Sequence, residues 1–199
     1  MTRVRRILHG GSAGNEHLTA VIAAVLLVLL AIEGATLLNV QSVLTVHAFV
    51  GILLIPVIGL KLAATGWRFM RYCLGGEEYV RRGPPPIVLR ALVAPVLTLS
   101  TVVLFGTGVA LLVLDRTSGP LVGLHKASFV VWFGAAAVHV LAHAGKLARA
   151  LRQRVPGIAL RAGAVTGAVL IGTVLATATL PSADRLQDDM SAQIGLDSG

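Results

Sequence analysis

Five stretches of mostly apolar residues, each long enough to cross a lipid bilayer, dominate this sequence. They cover residues 17–38, 43–65, 88–114, 121–145 and 158–180. A transmembrane helix needs about 20 such residues, because the hydrocarbon core is about 30 Å thick and each helical residue rises about 1.5 Å. We therefore predict an all-α fold, an integral membrane bundle of five transmembrane helices. A basic arm at residues 1–16 would precede the bundle, and an acidic, disordered tail at residues 181–199 would follow it.

The composition excludes a water-soluble enzyme. Hydrophobic residues make up 55% of the 199 residues and charged residues only 13%, and the five spans leave almost no room for a soluble domain. The single cysteine, Cys73, permits neither an internal disulfide nor a thiolate metal site. No nucleophile with a nearby base, phosphate-binding glycine loop or paired carboxylates occurs at membrane depth. We therefore expect no catalysis by the chain alone, and any redox chemistry would come from a bound cofactor.

The basic residues are distributed unevenly between the two sides of the predicted bundle. Of the 17 Lys and Arg residues, all but Arg116, Lys126 and Arg185 belong to one side. The positive-inside rule then predicts a multi-pass protein of the cell membrane, with a cytoplasmic N-terminus and an external C-terminus. The net charge of +8 thus reflects orientation in the lipid bilayer, and we expect no nucleic-acid partner. A cleaved signal peptide is the alternative for the first span, although its apolar run is long for one.

Two histidines, His47 and His125, begin the second and fourth spans. These spans run in the same direction, and each histidine follows the start of its helix by about four residues, so the two imidazoles are predicted to share one depth. Ionisable groups at membrane depth are costly and usually functional. Such a pair predicts a bis-histidine site that holds a low-spin haem between helices. Hydrogen bonding between helices is the alternative use of the same two imidazoles.

The fourth span carries two further histidines, His139 and His143, on nearly the same helix face as His125. An interval of 14 residues corresponds to about 21 Å along a helix axis, which suits a second, inner haem site. These imidazoles would alternatively reach the headgroup region or bind haem propionates. Glu33, in the outer half of the first span, either handles protons or pairs with Lys126.

This pattern resembles the cytochrome b superfamily, the haem-bearing membrane subunits of hydrogenases and formate dehydrogenases. The resemblance covers the second to fourth spans and rests on His47 with Gly51, and on residues 124–143, LHKASFVVWFGAAAVHVLAH. It implies a four-helix haem-binding core, haem b as the cofactor, and electron transfer between quinone and a separate oxidoreductase subunit as the function. In two-haem members a second histidine follows the first by about 14 residues, but Lys61 stands there. His17 is the only other inner histidine within reach, so the resemblance implies one haem and leaves the second open.

Two other classes of function fit the same spans. An ion or metal transporter would use Glu33 and the histidines as its pathway, but the sequence shows no paired discontinuous helices of the kind that many transporters use. A cofactor-free membrane anchor of a larger complex is the other alternative. The colour of the purified protein separates the cytochrome from both.

Overall fold

The computed structural model describes residues 11–81, 83, 87–153 and 155–197. Most of the predicted basic arm lies outside the described residues. Six long helices follow one another along the described chain, a short helix at Glu77–Val80 lies between the second and third of them, and no strand occurs among the described residues. Their bounds are α1 Gly11–Thr36, α2 Leu44–Cys73, α3 Ala94–Leu114, α4 Pro120–Arg152, α5 Ile158–Ala178 and α6 Leu180–Asp197. The first five are long and apolar enough to cross a membrane, which confirms the predicted fold class.

The first four helices form a closed ring. Helix α1 packs on α2, α2 on α3, α3 on α4, and α4 on α1. Helices α2 and α4 therefore lie diagonally across the ring, and among the described residues they do not pack closely against each other. Side chains that point inward from α2 and α4 meet in the interior of the bundle, as in other antiparallel four-helix bundles.

The fifth membrane helix packs outside the ring, against α2. Its Val165 and Ala168 join Ile22, Leu54 and Val57 in the largest buried apolar cluster. Backbones approach closely here, because a Cβ atom added at Gly172 would collide with the Leu53 carbonyl group. Small residues serve this purpose in lipid, where association depends on close packing more than on hydrophobicity.

Two prolines, Pro56 and Pro95, are accommodated within membrane-spanning helical segments. Helix α2 continues through Pro56 without a break. Before α3, a wider π-helical turn at Leu89–Val93 precedes Pro95. Proline lacks a backbone donor and crowds the carbonyl group four residues earlier, and a wider turn accommodates both effects.

The tail after Pro181 differs from its prediction. Instead of being disordered, residues Leu180–Asp197 form α6, whose Ala183 and Leu186 are buried against α2 and α3. Gln187 accepts a 2.6 Å hydrogen bond from the backbone N–H of Leu44 and donates one of 2.6 Å to the Gln41 carbonyl. Acidic composition alone misled the prediction, because the apolar side chains of this segment share one helix face.

The two ends of the bundle differ in charge. At the end that we call the basic end, the start of α1 meets the last turns of α2, where Asn15 donates a 3.2 Å hydrogen bond to the Ala64 carbonyl. Most arginines of the described chain belong to this end, among them Arg68, Arg71, Arg81, Arg149, Arg152 and Arg161. The opposite end, which we call the α6 end, contains the start of α2 and α4. This separation agrees with the charge pattern of the sequence.

Candidate functional site

His47 and His125 meet across the diagonal of the ring. Their ring centroids are 6.5 Å apart and the ring planes are almost perpendicular, at 84°. The two histidines come from helices that run in the same direction and begin at the α6 end, as the sequence predicted. The structure therefore brings together the two residues on which the predicted site depends.

The surroundings of His47 determine which of its nitrogens carries a proton. Its Nδ1 lies 3.0 Å from Glu33 Oε1 and 2.9 Å from Thr36 Oγ1. The Thr36 hydroxyl donates its own proton to the Glu33 carbonyl, at 2.6 Å, so its oxygen accepts from the imidazole. With two acceptors before it, Nδ1 carries a proton, and in the neutral imidazole Nε2 is then the nitrogen with the lone pair.

His125 has an equivalent arrangement made from different groups. Its Nδ1 lies 3.1 Å from the Leu104 carbonyl oxygen and 3.0 Å from Thr107 Oγ1. The Thr107 hydroxyl donates to the carbonyl groups of Val103 and Leu104. A carbonyl oxygen only accepts, so His125 is also protonated on Nδ1 and leaves Nε2 as a ligand atom.

The ring-nitrogen contacts and the spacing of His47 and His125 fit two histidines that would hold one haem. Histidine ligands of metals usually donate the proton of the other ring nitrogen to a carbonyl or carboxylate. With metal–nitrogen bonds of about 2 Å and ring centres about 1 Å behind each nitrogen, two imidazoles on opposite sides of one metal have centroids about 6 Å apart. The observed separation is 6.5 Å.

The same residues fit a bare metal ion less well. Among the described residues, no three His, Cys, Asp or Glu side chains gather into a metal-ion site. Protein sites for zinc and similar ions draw three or four ligands from the chain. A haem needs only two, because its porphyrin supplies the other four nitrogens.

Small residues and one carboxylate border the histidine pair. A Cβ atom at Gly108 of α3 would lie 3.2 Å from His125 Cε1, so the absence of a side chain there makes room for the ring. Gly51, on which the family resemblance partly rests, faces the Glu33 carboxylate, with Oε1 3.6 Å from a Cβ atom placed on the glycine. The interior space next to α2 is thus more polar than the sequence indicated.

The inward face of α4 continues from His125 towards the basic end. Ser128 is buried, and Phe129, Trp132 and Ala136 are half-buried, which agrees with the predicted helix face. Trp132 Nε1 donates a 3.0 Å hydrogen bond to Thr101 Oγ1 of α3, and its ring stacks with Phe129 at 6.5 Å. The Trp132–Thr101 hydrogen bond links α4 to α3 on this face.

The inner histidines lack an opposing imidazole. His139 and His143 stack on each other, with centroids 4.5 Å apart, and His143 Nδ1 donates to the His139 carbonyl at 2.9 Å. Lys61 occupies the region across from them, within electrostatic range of His139, and its Nζ donates a 2.6 Å hydrogen bond to the Thr19 carbonyl. His17 lies instead beside the α4–α5 connection. No described histidine faces this pair as His125 faces His47.

Glu33 is the residue whose role the sequence left open. Its partner is His47, and Lys126, the partner that we considered, is exposed on α4. One carboxylate oxygen, Oε2, is buried without a hydrogen-bond partner in the described part of the chain. Thr36 and Thr107 were missed altogether, because a threonine in an apolar helix carries no signal that it contacts a histidine on another helix.

Comparison with protein-family models, with curated proteins and with solved structures finds no significant match for this chain. The resemblance to the cytochrome b superfamily therefore stays a prediction, and the argument for function depends on the geometry of the chain itself.

Proposed function

We propose that this protein is a membrane-embedded b-type cytochrome, with one haem b held between His47 and His125. The observation that carries the proposal is the meeting of two imidazoles at 6.5 Å across the bundle diagonal, each with Nδ1 engaged and Nε2 free. An interhelical hydrogen bond between the histidines would need one Nε2 to carry a proton, and the acceptors around both Nδ1 atoms oppose that tautomer.

In this proposal the chain supplies ligands, orientation and a dry environment. Nε2 of His47 and Nε2 of His125 would hold the haem, and its iron would supply the one-electron chemistry when bound. Glu33 and Thr36 orient the first imidazole, and Thr107 and the Leu104 carbonyl orient the second. Apolar side chains of the four-helix ring keep water away from the site. The hydrophobic surroundings of a redox centre lower the local dielectric constant and thereby help to set its reduction potential.

The partners follow from the position of the site. The pair is three residues from the start of α2 and five from the start of α4, so the haem would be near the membrane surface at the α6 end. With the N-terminus cytoplasmic, as the positive charges predict, that surface is external. Electrons would pass between membrane quinone and a separately encoded oxidoreductase subunit that binds at this face.

The test is the visible spectrum of the full chain, purified in detergent from haem-replete cells. We expect a sharp reduced-minus-oxidised haem signal at one haem per chain. His47→Ala and His125→Ala should each remove the low-spin signal, because one remaining imidazole leaves the iron without its second protein ligand. A colourless preparation, or full haem content in both variants, would reject the proposal.

A proton or metal-ion pathway is the second candidate, and the buried Glu33 carboxylate beside His47 is the observation that favours it. An unpartnered carboxylate oxygen inside a membrane is expensive and often marks an ion path. This candidate predicts a colourless protein whose reconstituted vesicles conduct protons or a divalent ion in a Glu33-dependent manner. The haem spectrum therefore separates the two candidates before any transport assay.

A further inference from the structure

An open cavity of about 640 Å³ lies at the basic end of the bundle, far along α4 from the histidine pair. The start of α1 contributes His17. The remaining walls come from the end of α4, the α4–α5 connection and the first residue of α5, namely Leu151, Arg152, Gln153, Val155, Pro156 and Ile158. Its volume is in the range of small-molecule sites, which hold about 300–1,000 Å³. The cavity thus joins charged and apolar side chains at the depth where a membrane changes from headgroups to hydrocarbon.

One buried nitrogen atom in the wall of this cavity, and one on a neighbouring arginine, have no hydrogen-bond partner in the described chain. His17 is only 7% exposed, and its Nδ1 has no hydrogen-bond partner among the described residues. Arg161, within electrostatic range of His17, is only 6% exposed, and its Nε is also unpartnered in the described chain. Buried polar groups in native proteins nearly always find a partner. A hydrogen-bond partner from outside the chain is therefore expected for His17.

The remaining bonds of Arg161 organise the wall of the cavity. Its guanidinium donates two 2.7 Å hydrogen bonds, to the carbonyls of Val155 and Pro156. Those bonds hold the connection in a fixed shape ahead of α5, whose first residue, Ile158, lines the cavity. The free backbone N–H groups at a helix start attract anions, and the arginine adds a full positive charge beside them.

We propose that this cavity binds the phosphate group of an anionic phospholipid. The phosphate would accept from His17 and from Arg152, in the field of Arg161 and of the α5 N-terminus. Leu151, Val155, Pro156 and Ile158 would contact the glycerol and the first methylenes of the acyl chains. Basic pockets between transmembrane helices select anionic lipids in this way. The inference is independent of the proposed haem site.

The test compares lipids on the purified full chain in detergent. We expect phosphatidylglycerol to remain bound in native mass spectrometry and to raise the thermal unfolding midpoint, and phosphatidylcholine to do neither. Arg152→Gln should weaken retention of phosphatidylglycerol about fivefold, as expected for one basic residue near an anionic headgroup. His17→Ala should have a similar effect, and Arg152→Gln tests the site alone if the His17 variant fails to fold.

Arg149→Gln is the matched control, because Arg149 is an exposed arginine of the same helix end, bonded to the Gly145 carbonyl, that does not line the cavity. It should leave retention unchanged. Equal loss in the Arg149 and Arg152 variants would show diffuse surface attraction and overturn the proposal. Full stabilisation by inorganic phosphate alone would overturn the lipid assignment, because a free anion does not use the apolar wall.

Discussion

Helix α4 carries histidines near both of its ends, and their surroundings are opposite in kind. Near the α6 end, His125 faces His47 across the bundle, and each has acceptors for one ring nitrogen only. Nearer the basic end, His139 faces its own neighbour His143, and Lys61 stands on the helix across from them. The spacing of histidines along one helix is therefore not enough to form a two-histidine site. The opposing helix decides whether a histidine has a partner.

The largest expected difference between the two ends is in haem content. His125→Ala should abolish the haem signal, and the double variant His139→Ala, His143→Ala should keep one haem per chain, because only the first pair has opposed imidazoles. Haem-to-protein stoichiometry by pyridine haemochrome measures both. Two haems per wild-type chain, falling to one in the double variant, would contradict the prediction that only the His47–His125 pair binds haem.

A smaller effect should come from the glycines that border the first pair. Gly108→Ala puts a methyl group 3.2 Å from the His125 ring, and displacing that ring should lower haem affinity about fivefold, or about 1 kcal/mol, as for modest overpacking. Gly51→Ala is the matched control, since its methyl group meets only an ordinary contact at 3.6 Å. Haem titration of the apoprotein compares them. Equal losses of haem affinity in the two variants would contradict the prediction, because they would place the macrocycle against Gly51 as closely as the His125 ring lies against Gly108.

Within the first pair, the two histidines differ in their acceptors. His47 has a carboxylate and His125 a backbone carbonyl, so Glu33→Gln should weaken electron donation through His47 and raise the midpoint potential. A charge-assisted bond exceeds a neutral one by about 1 kcal/mol, which is about 40 mV for one electron. Thr107→Val should change it little, because the Leu104 carbonyl remains. Redox titration would contradict this account if the Thr107 variant shifted as far as the Glu33 variant.

The smallest effect on haem binding and stability is expected at Lys61, which stands across from His139 where a second histidine pair would need an imidazole. Lys61→Met keeps the length of the side chain but loses the hydrogen bond to the Thr19 carbonyl. We expect an unchanged haem spectrum and a loss of stability of about 0.6 kcal/mol, which is typical of interhelical hydrogen bonds in membranes. Thermal unfolding in detergent measures the loss. A reduced haem signal would place Lys61 at a cofactor site.

The sequence by itself determined the membrane character, the five spans and the depth of His47 and His125. Run length fixes the number of helices, because lipid satisfies no backbone polar group and forces each apolar run to be helical. The direction of each helix then follows from its position in the order of spans. Because the second and fourth spans run in the same direction, a histidine near the start of each lies at the same depth. The uneven distribution of Lys and Arg along the sequence also distinguished the two ends of the bundle, because successive connections between spans alternate between the two sides.

Only the tertiary structure decided which helices oppose each other. The ring order of α1 to α4 brings His47 and His125 onto one diagonal, and it turns Glu33 towards His47 and away from Lys126. It also packs α6 against the bundle, where acidic composition had predicted disorder. Contacts of this kind depend on the rotation of each helix about its axis. In a chain that is apolar on nearly every face, the hydrophobic pattern leaves that rotation undetermined.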